Sequence, residues 1–259
     1  MSETPPDVSL VLPIYNGASF AVQNVRAAAD FLAGRFTAWE LVVVDDGSTD
    51  GTAELLTPFA GREVRVISLA KNTGKFGALK AGMREGRGRC RVFTDADLPF
   101  DLEAVPYMTR LVVERGLHLV IGDRRLAESD YDEHVASPRR LASQSFSFFV
   151  RLLVTGGLFD TQCGLKAFRG DVADALFPLL IEDGFAGDVE LLYVALKYNL
   201  EIKRIPVRLR RSEPSSVRLL RHAGRMLGAI ARLPGDWRTG RYSSPDLTRI
   251  ARQVYWSSP

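Results

Sequence analysis

The chain has little of what many enzymes are built from. Of its 259 residues, 2 are cysteine and 3 are histidine. Cys90 and Cys163 are too few and too scattered for a disulfide framework or a zinc spacing, and a reducing, cytoplasmic setting is the simplest reading. Cys90 opens an apolar strand and reads as a buried thiol. His118, His134 and His222 share no spacing and receive no role. No segment approaches the roughly 18 consecutive apolar residues of a membrane span. Residues 1–7 are polar and Pro-rich, without the basic start and apolar run of a signal peptide. The expectation is a protein that is soluble or at most peripheral to a membrane. No G-x-x-x-x-G-K-[ST] phosphate loop occurs, since Gly74-Lys75 is followed by Phe76, and no G-x-G-x-x-G follows the first strand. A G-x-S-x-G elbow is also missing. These absences argue against a P-loop NTPase, a common dinucleotide enzyme and a serine hydrolase.

What is there is a chain long enough for one large α/β domain or two small ones, and 46% apolar residues supply ample core. The net charge of +3 hides an asymmetry. From Lys203 to Arg252 thirteen Lys and Arg face three Asp and Glu, a local +10 that leaves the rest at −7. The C-terminal fifth is suited to meet something anionic: phosphate, a membrane surface or nucleic acid.

Short apolar runs punctuated by polar turns follow one another. Val8–Ile14, Trp39–Val44, Val64–Leu69 and Cys90–Thr94 read as buried strands, with helices after each. Strand, polar loop and helix, repeated, predict βαβ units on a parallel sheet. Ligands of such sheets bind beyond the C-terminal strand ends. Asn16, Asp45-Asp46, Asn72 to Lys75 and Asp95 with Asp97 should therefore converge on one rim. Asp95 and Asp97 leave a strand one residue apart, so a continued strand would aim both to one side. Asp-x-Asp by itself is more often an ordinary turn. A hard divalent ion that also holds phosphate oxygens would relieve the repulsion between the two carboxylates. Further strands are expected at Leu117–Gly122 and Glu201–Arg208, with a helix carrying Phe146 to Leu153 between them. Residues 1–233 read as one domain, with a nucleotide half (8–122) and an acceptor half (123–233), followed by a tail, 234–259. Ser215 or Ser216 can cap a last helix ending at Leu233, with an apolar stripe of Val217, Leu220, Leu227 and Ile230. Its basic side suits either a core-docked helix with a solvated face or an interfacial helix on anionic lipid. Trp237, Tyr242, Tyr255 and Trp256 are read as packing onto the domain, with an interfacial aromatic anchor as the alternative.

Leu12-Pro-Ile-Tyr-Asn16, Val44-Asp-Asp-Gly-Ser-Thr-Asp-Gly-Thr52 and Thr94-Asp-Ala-Asp97, in this order, resemble glycosyltransferase family 2, the inverting GT-A fold enzymes. Within it the chain is most similar to polyprenyl-phosphate sugar transferases, the dolichyl-phosphate glucose and mannose synthases. Asp160 to Phe168, Gly187 to Tyr193 and Ser215 to Arg218 carry that narrower match. The first two lean towards the glucose branch. The mannose branch reads Asp-Ala-Asp-Leu-Gln, and here Pro99 stands at the glutamine. This weakens a mannose assignment and leaves the metal shell one protein ligand short.

The resemblance implies a GT-A-like, Rossmann-type, mostly parallel sheet flanked by helices, closed by a C-terminal amphipathic basic helix. It implies hexose transfer from UDP-glucose or GDP-mannose to a polyprenyl phosphate. By position, Pro13, Tyr15, Asn16 and Ala96 line the nucleotide pocket, and Asp45 or Asp46 accepts from base or ribose. Asn72, Gly74 and Lys75 approach the sugar nucleotide. Asp95 and Asp97 hold Mg²⁺ or Mn²⁺ on the diphosphate. A lipid phosphate is already anionic near neutral pH and needs cations: Arg124, Arg125, Lys166, Arg208, Arg210, Arg211 and Arg218, with Ser216, are the acceptor clamps on this reading. Lys166 on an exposed strand face and the arginine run as a solvated edge are the plainer alternatives. Asp188 or Glu190 is the base if the acceptor is a hydroxyl, and positions donor hydroxyls if it is a phosphate. Two other functions stand beside this: transfer to a soluble small-molecule or saccharide hydroxyl, and a non-catalytic nucleotide-sugar or nucleic-acid binding module. The acidic strand ends argue against nucleic acid at that rim.

Overall fold

In the computed structural model, residues 4–130, 160–161, 163–184, 186–210 and 219–253 are described. The elements run β1 (Val8–Ile14), α1 (Ala21–Arg35), β2 (Trp39–Asp45), α2 (Thr52–Leu56), β3 (Val64–Ser68), α3 (Lys75–Glu85), β4 (Cys90–Phe93), α4 (Ala104–Val113) and β5 (Leu119–Gly122). After the undescribed stretch come β6 (Lys166–Arg169), α5 (Gly170–Leu176), α6 (Gly187–Lys197), β7 (Ile202–Ile205), α7 (Leu219–Arg238) and α8 (Pro245–Arg252).

Among the described residues seven strands form one sheet, in the order β3-β2-β1-β4-β6-β5-β7. β6 is antiparallel to both β4 and β5; the other pairings are parallel. The apolar runs are continuous because both sheet faces are covered. In β2, Val42 and Val44 join the layer of α3, α5 and α6, whereas Leu41 and Val43 join that of α1 and α4. The expected mostly parallel sheet flanked by helices is present. Every parallel strand entered by a βα unit presents its C-terminal end to the same rim.

Three readings shift. The strand expected over 201–208 stops at Ile205, where Pro206 has no N–H for the ladder; Arg208 and Leu209 form isolated bridges to Asp130 and Phe100. The helix expected to be the last does not end at Leu233 but runs through Pro234 to Arg238, and a further helix, α8, follows it. Leu227, placed in its apolar stripe, is exposed, whereas Ala229, Ile230 and Leu233 are buried. The caps Ser215 and Ser216, the helix of Phe146 to Leu153, and Tyr255 and Trp256 lie outside the described residues. The described part of the tail packs inward: Tyr242, Leu247 and Ile250 are buried, and Trp237 meets the rings of Tyr193 and Tyr198 edge-on.

Candidate active site

The loops after β1, β2 and β3 are laced together by the residues singled out from the sequence. Asn16, in the left-handed region at φ 50°, donates its backbone N–H to Ser48 Oγ at 2.9 Å, and its Oδ1 accepts from the Thr49 N–H at 2.9 Å. Asp46 is buried, and its oxygens accept from Thr73 N–H, Thr73 Oγ1–H and Gly74 N–H at 2.7, 2.7 and 2.9 Å. It therefore holds the loop that starts α3 and is not available to a base or ribose. Asp45 is also buried and accepts from Ser48 N–H at 3.3 Å. Gly47 has φ 68° and lies so close to the Lys71–Asn72 backbone that a Cβ would come within 2.5 Å; only glycine meets both demands. Pro13 is half-buried in β1, while Tyr15 and Asn72 are exposed on the rim.

The Asp pair does not continue the strand. β4 ends at Phe93, and a turn closes where Leu98 N–H donates to Asp95 O at 3.0 Å, with Leu98 at φ 48°. Ala96, expected to line the nucleotide pocket, is buried inside this turn, and its carbonyl accepts from Asn24 Nδ2 at 2.9 Å. It shapes the turn from within. Asp95 and Asp97 are both half-buried at the rim.

Behind the turn runs a chain of charges. Lys75, the first residue of α3, approaches Asp95 Oδ1 at 2.6 Å and Asp188 Oδ2 at 3.9 Å. Lys166 reaches the other Asp188 oxygen at 2.5 Å and the Cys163 carbonyl at 2.7 Å. Burial works against charge on Lys75, but Asp95 and Asp188 outweigh it and hold its pKa above the usual lysine value. Lys166 is fully buried over the Phe93 ring. It is neither an acceptor clamp nor on an exposed face: β6, inserted antiparallel between β4 and β5, carries it into the core. Asp188 is buried, with both oxygens turned to ammonium groups, a poor setting for taking a proton from a hydroxyl. Glu190 is buried, and both its oxygens are engaged inside the protein. One oxygen accepts from Ile181 N–H and Tyr242 Oη–H, the other from Glu182 N–H. Burial raises its pKa.

Of the proposed clamps, Arg124 is committed to Asp160, with Nε and Nη2 contacts of 2.8 and 2.7 Å. Burial would raise Asp160, but the Arg124 hydrogen bonds and charge hold it below the usual carboxylate value. Arg125, Arg208 and Arg210 are exposed. Arg210 N–H donates to Pro99 O at 2.7 Å and Asp101 N–H to Arg208 O at 2.9 Å, so this segment is strapped directly beside the Asp95–Leu98 turn. Arg211, Ser216 and Arg218 lie outside the described residues. Two hollows beside α8, lined by residues such as Tyr198, Trp237 and Arg252, touch no rim residue.

The sequence alone did not point to Asp183 or Cys163. The Asp183 carbonyl accepts from Phe76 N–H at 2.8 Å and so fixes the start of α3 under Lys75. Backbone acceptors leave no mark in a residue pattern.

A divalent ion fits the rim chemically. Asp95 and Asp97 offer hard oxygen donors, and the lack of a side chain at Gly164 lets the Asp95 carboxylate lie where a Cβ would come within 2.1 Å of its Oδ2. Among the described residues no three His, Cys, Asp or Glu side chains cluster as a metal site.

The model of glycosyl transferase family 2 matches residues 9–177. A dolichyl-phosphate beta-glucosyltransferase of Homo sapiens is 33% identical over 220 residues, covering 77% of this chain and 66% of its own. That of Dictyostelium discoideum is 32% identical over 213 residues, covering 77% and 65%. A dodecaprenyl-phosphate galacturonate synthase of Rhizobium johnstonii is 30% identical over 169 residues, covering 64% and 48%. The chain spans about two thirds of the length of the first two relatives. Among solved structures, glucosyl-3-phosphoglycerate synthase of Mycobacterium tuberculosis with Mn²⁺, UDP-glucose and phosphoglyceric acid superposes with a TM-score of 0.66 at 20% identity, covering 89% of this chain and 80% of that one. The fold is thus that of the GT-A-like neighbours. With the family model spanning both the laced loops and the Asp95–Asp97 turn, this chain belongs to glycosyl transferase family 2.

Proposed function

We propose that the chain transfers a hexose with inversion from a nucleoside diphosphate sugar, UDP-glucose in the first instance, to a polyprenyl phosphate. The observation that carries this reading is Asp188. It is a buried carboxylate of α6, and it is held between Lys75 and Lys166. An acceptor that arrives ionised needs no base. The names of the curated relatives, dolichyl-phosphate glucosyltransferases, support the same acceptor class and the glucose donor.

On this reading the β1–β3 loops receive the nucleotide, with Tyr15 and Asn16 at its edge and Asp45 beneath. Asn72, Gly74 and Lys75 meet the diphosphate. Asp95 and Asp97 are the residues that hold Mg²⁺ or Mn²⁺. When bound, the ion neutralises charge gathering on the leaving diphosphate. Arg125 and Arg208 offer exposed guanidinium groups that can fork onto an acceptor phosphate, and Arg210 would join them by leaving Asp101, 3.4 Å away. An acceptor oxygen bonds to the sugar C1 from the face opposite the diphosphate, whose C1–O bond breaks; no proton moves. The basic C-terminal fifth would set the protein at the cytoplasmic face of an anionic membrane, as a peripheral protein. Among the described residues no helix is long and apolar enough to cross one.

The test is a radiolabelled sugar-nucleotide assay on a short polyprenyl phosphate with Mn²⁺, with products identified by mass spectrometry. Labelled lipid from UDP-glucose, lost in Asp95→Ala, is the expected result. Product only on soluble hydroxyl acceptors would move the assignment to the alternative reading.

A further inference from the structure

Lys75 occupies the place where a cation is wanted. Its ammonium is 2.6 Å from Asp95 and 3.9 Å from Asp188, and an ion held by Asp95 would meet it head-on. The two partners of that contact are not equally able to move. Asp95 is backed by Gly164, against which even a methyl group would not fit. Asp188 is pinned by the buried Lys166. The Lys75 backbone is also fixed, since Asp46 accepts from Thr73 and Gly74 and Asp183 from Phe76. Its four-carbon stem is the mobile part, and it already has a second carboxylate in reach.

We infer that Lys75 is a resident counter-ion of Asp95 that a divalent ion must displace, so that ion and nucleoside diphosphate bind cooperatively. This rests on the reading of Asp95 as a metal-holding residue. Without nucleotide, an incoming dication faces an ammonium at its carboxylate and binds weakly. A diphosphate draws the ammonium from Asp95 towards its own oxygens and Asp188, and adds phosphate oxygens to the ion's shell. Each ligand then strengthens the other by the same factor.

The experiment is Mn²⁺ binding to the full chain, followed by the electron paramagnetic resonance of free Mn²⁺, with and without UDP and corrected for the Mn²⁺–UDP complex in solution. Wild type should bind Mn²⁺ at least about tenfold more tightly with UDP, a difference of about 1.4 kcal/mol. Lys75→Met should bind Mn²⁺ alone about tenfold more tightly than wild type and lose most of the UDP effect; Lys75→Arg should keep the wild-type pattern. Folded Lys75→Met with unchanged or weaker Mn²⁺ affinity overturns the inference and leaves the metal reading intact. Absence of UDP enhancement in wild type overturns it without any variant. No Mn²⁺ binding even with UDP overturns both this inference and the metal dependence of the proposed function.

Discussion

Lys166 and Asp188 show how much of this site is electrostatic bookkeeping inside the core. Removing one partner of a buried pair leaves an uncompensated charge, whereas removing both does not. Lys166→Met should destabilise the protein by about 3–5 kcal/mol in urea unfolding, and adding Asp188→Leu should recover much of that loss. Arg124 and Asp160 give a pH dependence. The folded Asp160 pKa lies below its unfolded value of about 3.9, so its contribution is fully present above about pH 4 and is lost as pH falls towards the lower folded pKa. Asp160→Asn should lower stability at neutral pH and flatten the acid limb below about pH 4 in urea titrations at stepped pH.

At the scale of elements, the spacing between α3 and α6 sets the distance from Lys75 to Asp188. Gly187 faces Phe76 so closely that an ideal Cβ would lie 2.2 Å from the ring. Gly187→Ala should cost about 1–3 kcal/mol by overpacking, seen in thermal unfolding. It should lower kcat more than it raises KM, because it displaces the carboxylate more than the nucleotide loops. Ser244 caps α8, its hydroxyl accepting from Leu247 N–H at 3.2 Å. Ser244→Ala should cost about 1 kcal/mol in the same measurement and leave the affinity for sugar nucleotide unchanged.

For the whole molecule, the C-terminal segment is coupled to the site by position alone. Tyr242 donates to Glu190 at 2.7 Å. Glu190 holds Ile181 and Glu182, and Arg232 of α7 meets Glu182 at 3.0 Å. The same short loop caps α3 through the Asp183 carbonyl. Cutting the chain after Thr239 should strip Tyr242 from a buried carboxylate and uncover apolar core. A fall in the thermal midpoint, together with weaker nucleotide binding by calorimetry, is the expected outcome; unchanged nucleotide affinity would show that the segment only stabilises.

Local pattern was sufficient for the β1–α3 half, because each strand there is an uninterrupted apolar run and each loop ends it with residues whose chemistry is visible one by one. The convergence of Asn16, Asp46, Lys75 and Asp95 follows from parallel topology, which that repetition dictates. Roles in the second half depended on partners distant in the chain. Lys166 reads as a surface cation until the antiparallel insertion of β6 buries it beside Asp188. Glu190 reads as a base until α8 and its preceding turn bring Tyr242 onto it, and Arg124 as a clamp until Asp160 answers it. A residue's type sets what it can bond, and that much was legible in the sequence. Which charge is spent inside the protein, and which remains for a ligand, is decided by contacts 22 to 52 residues apart that only the tertiary structure makes.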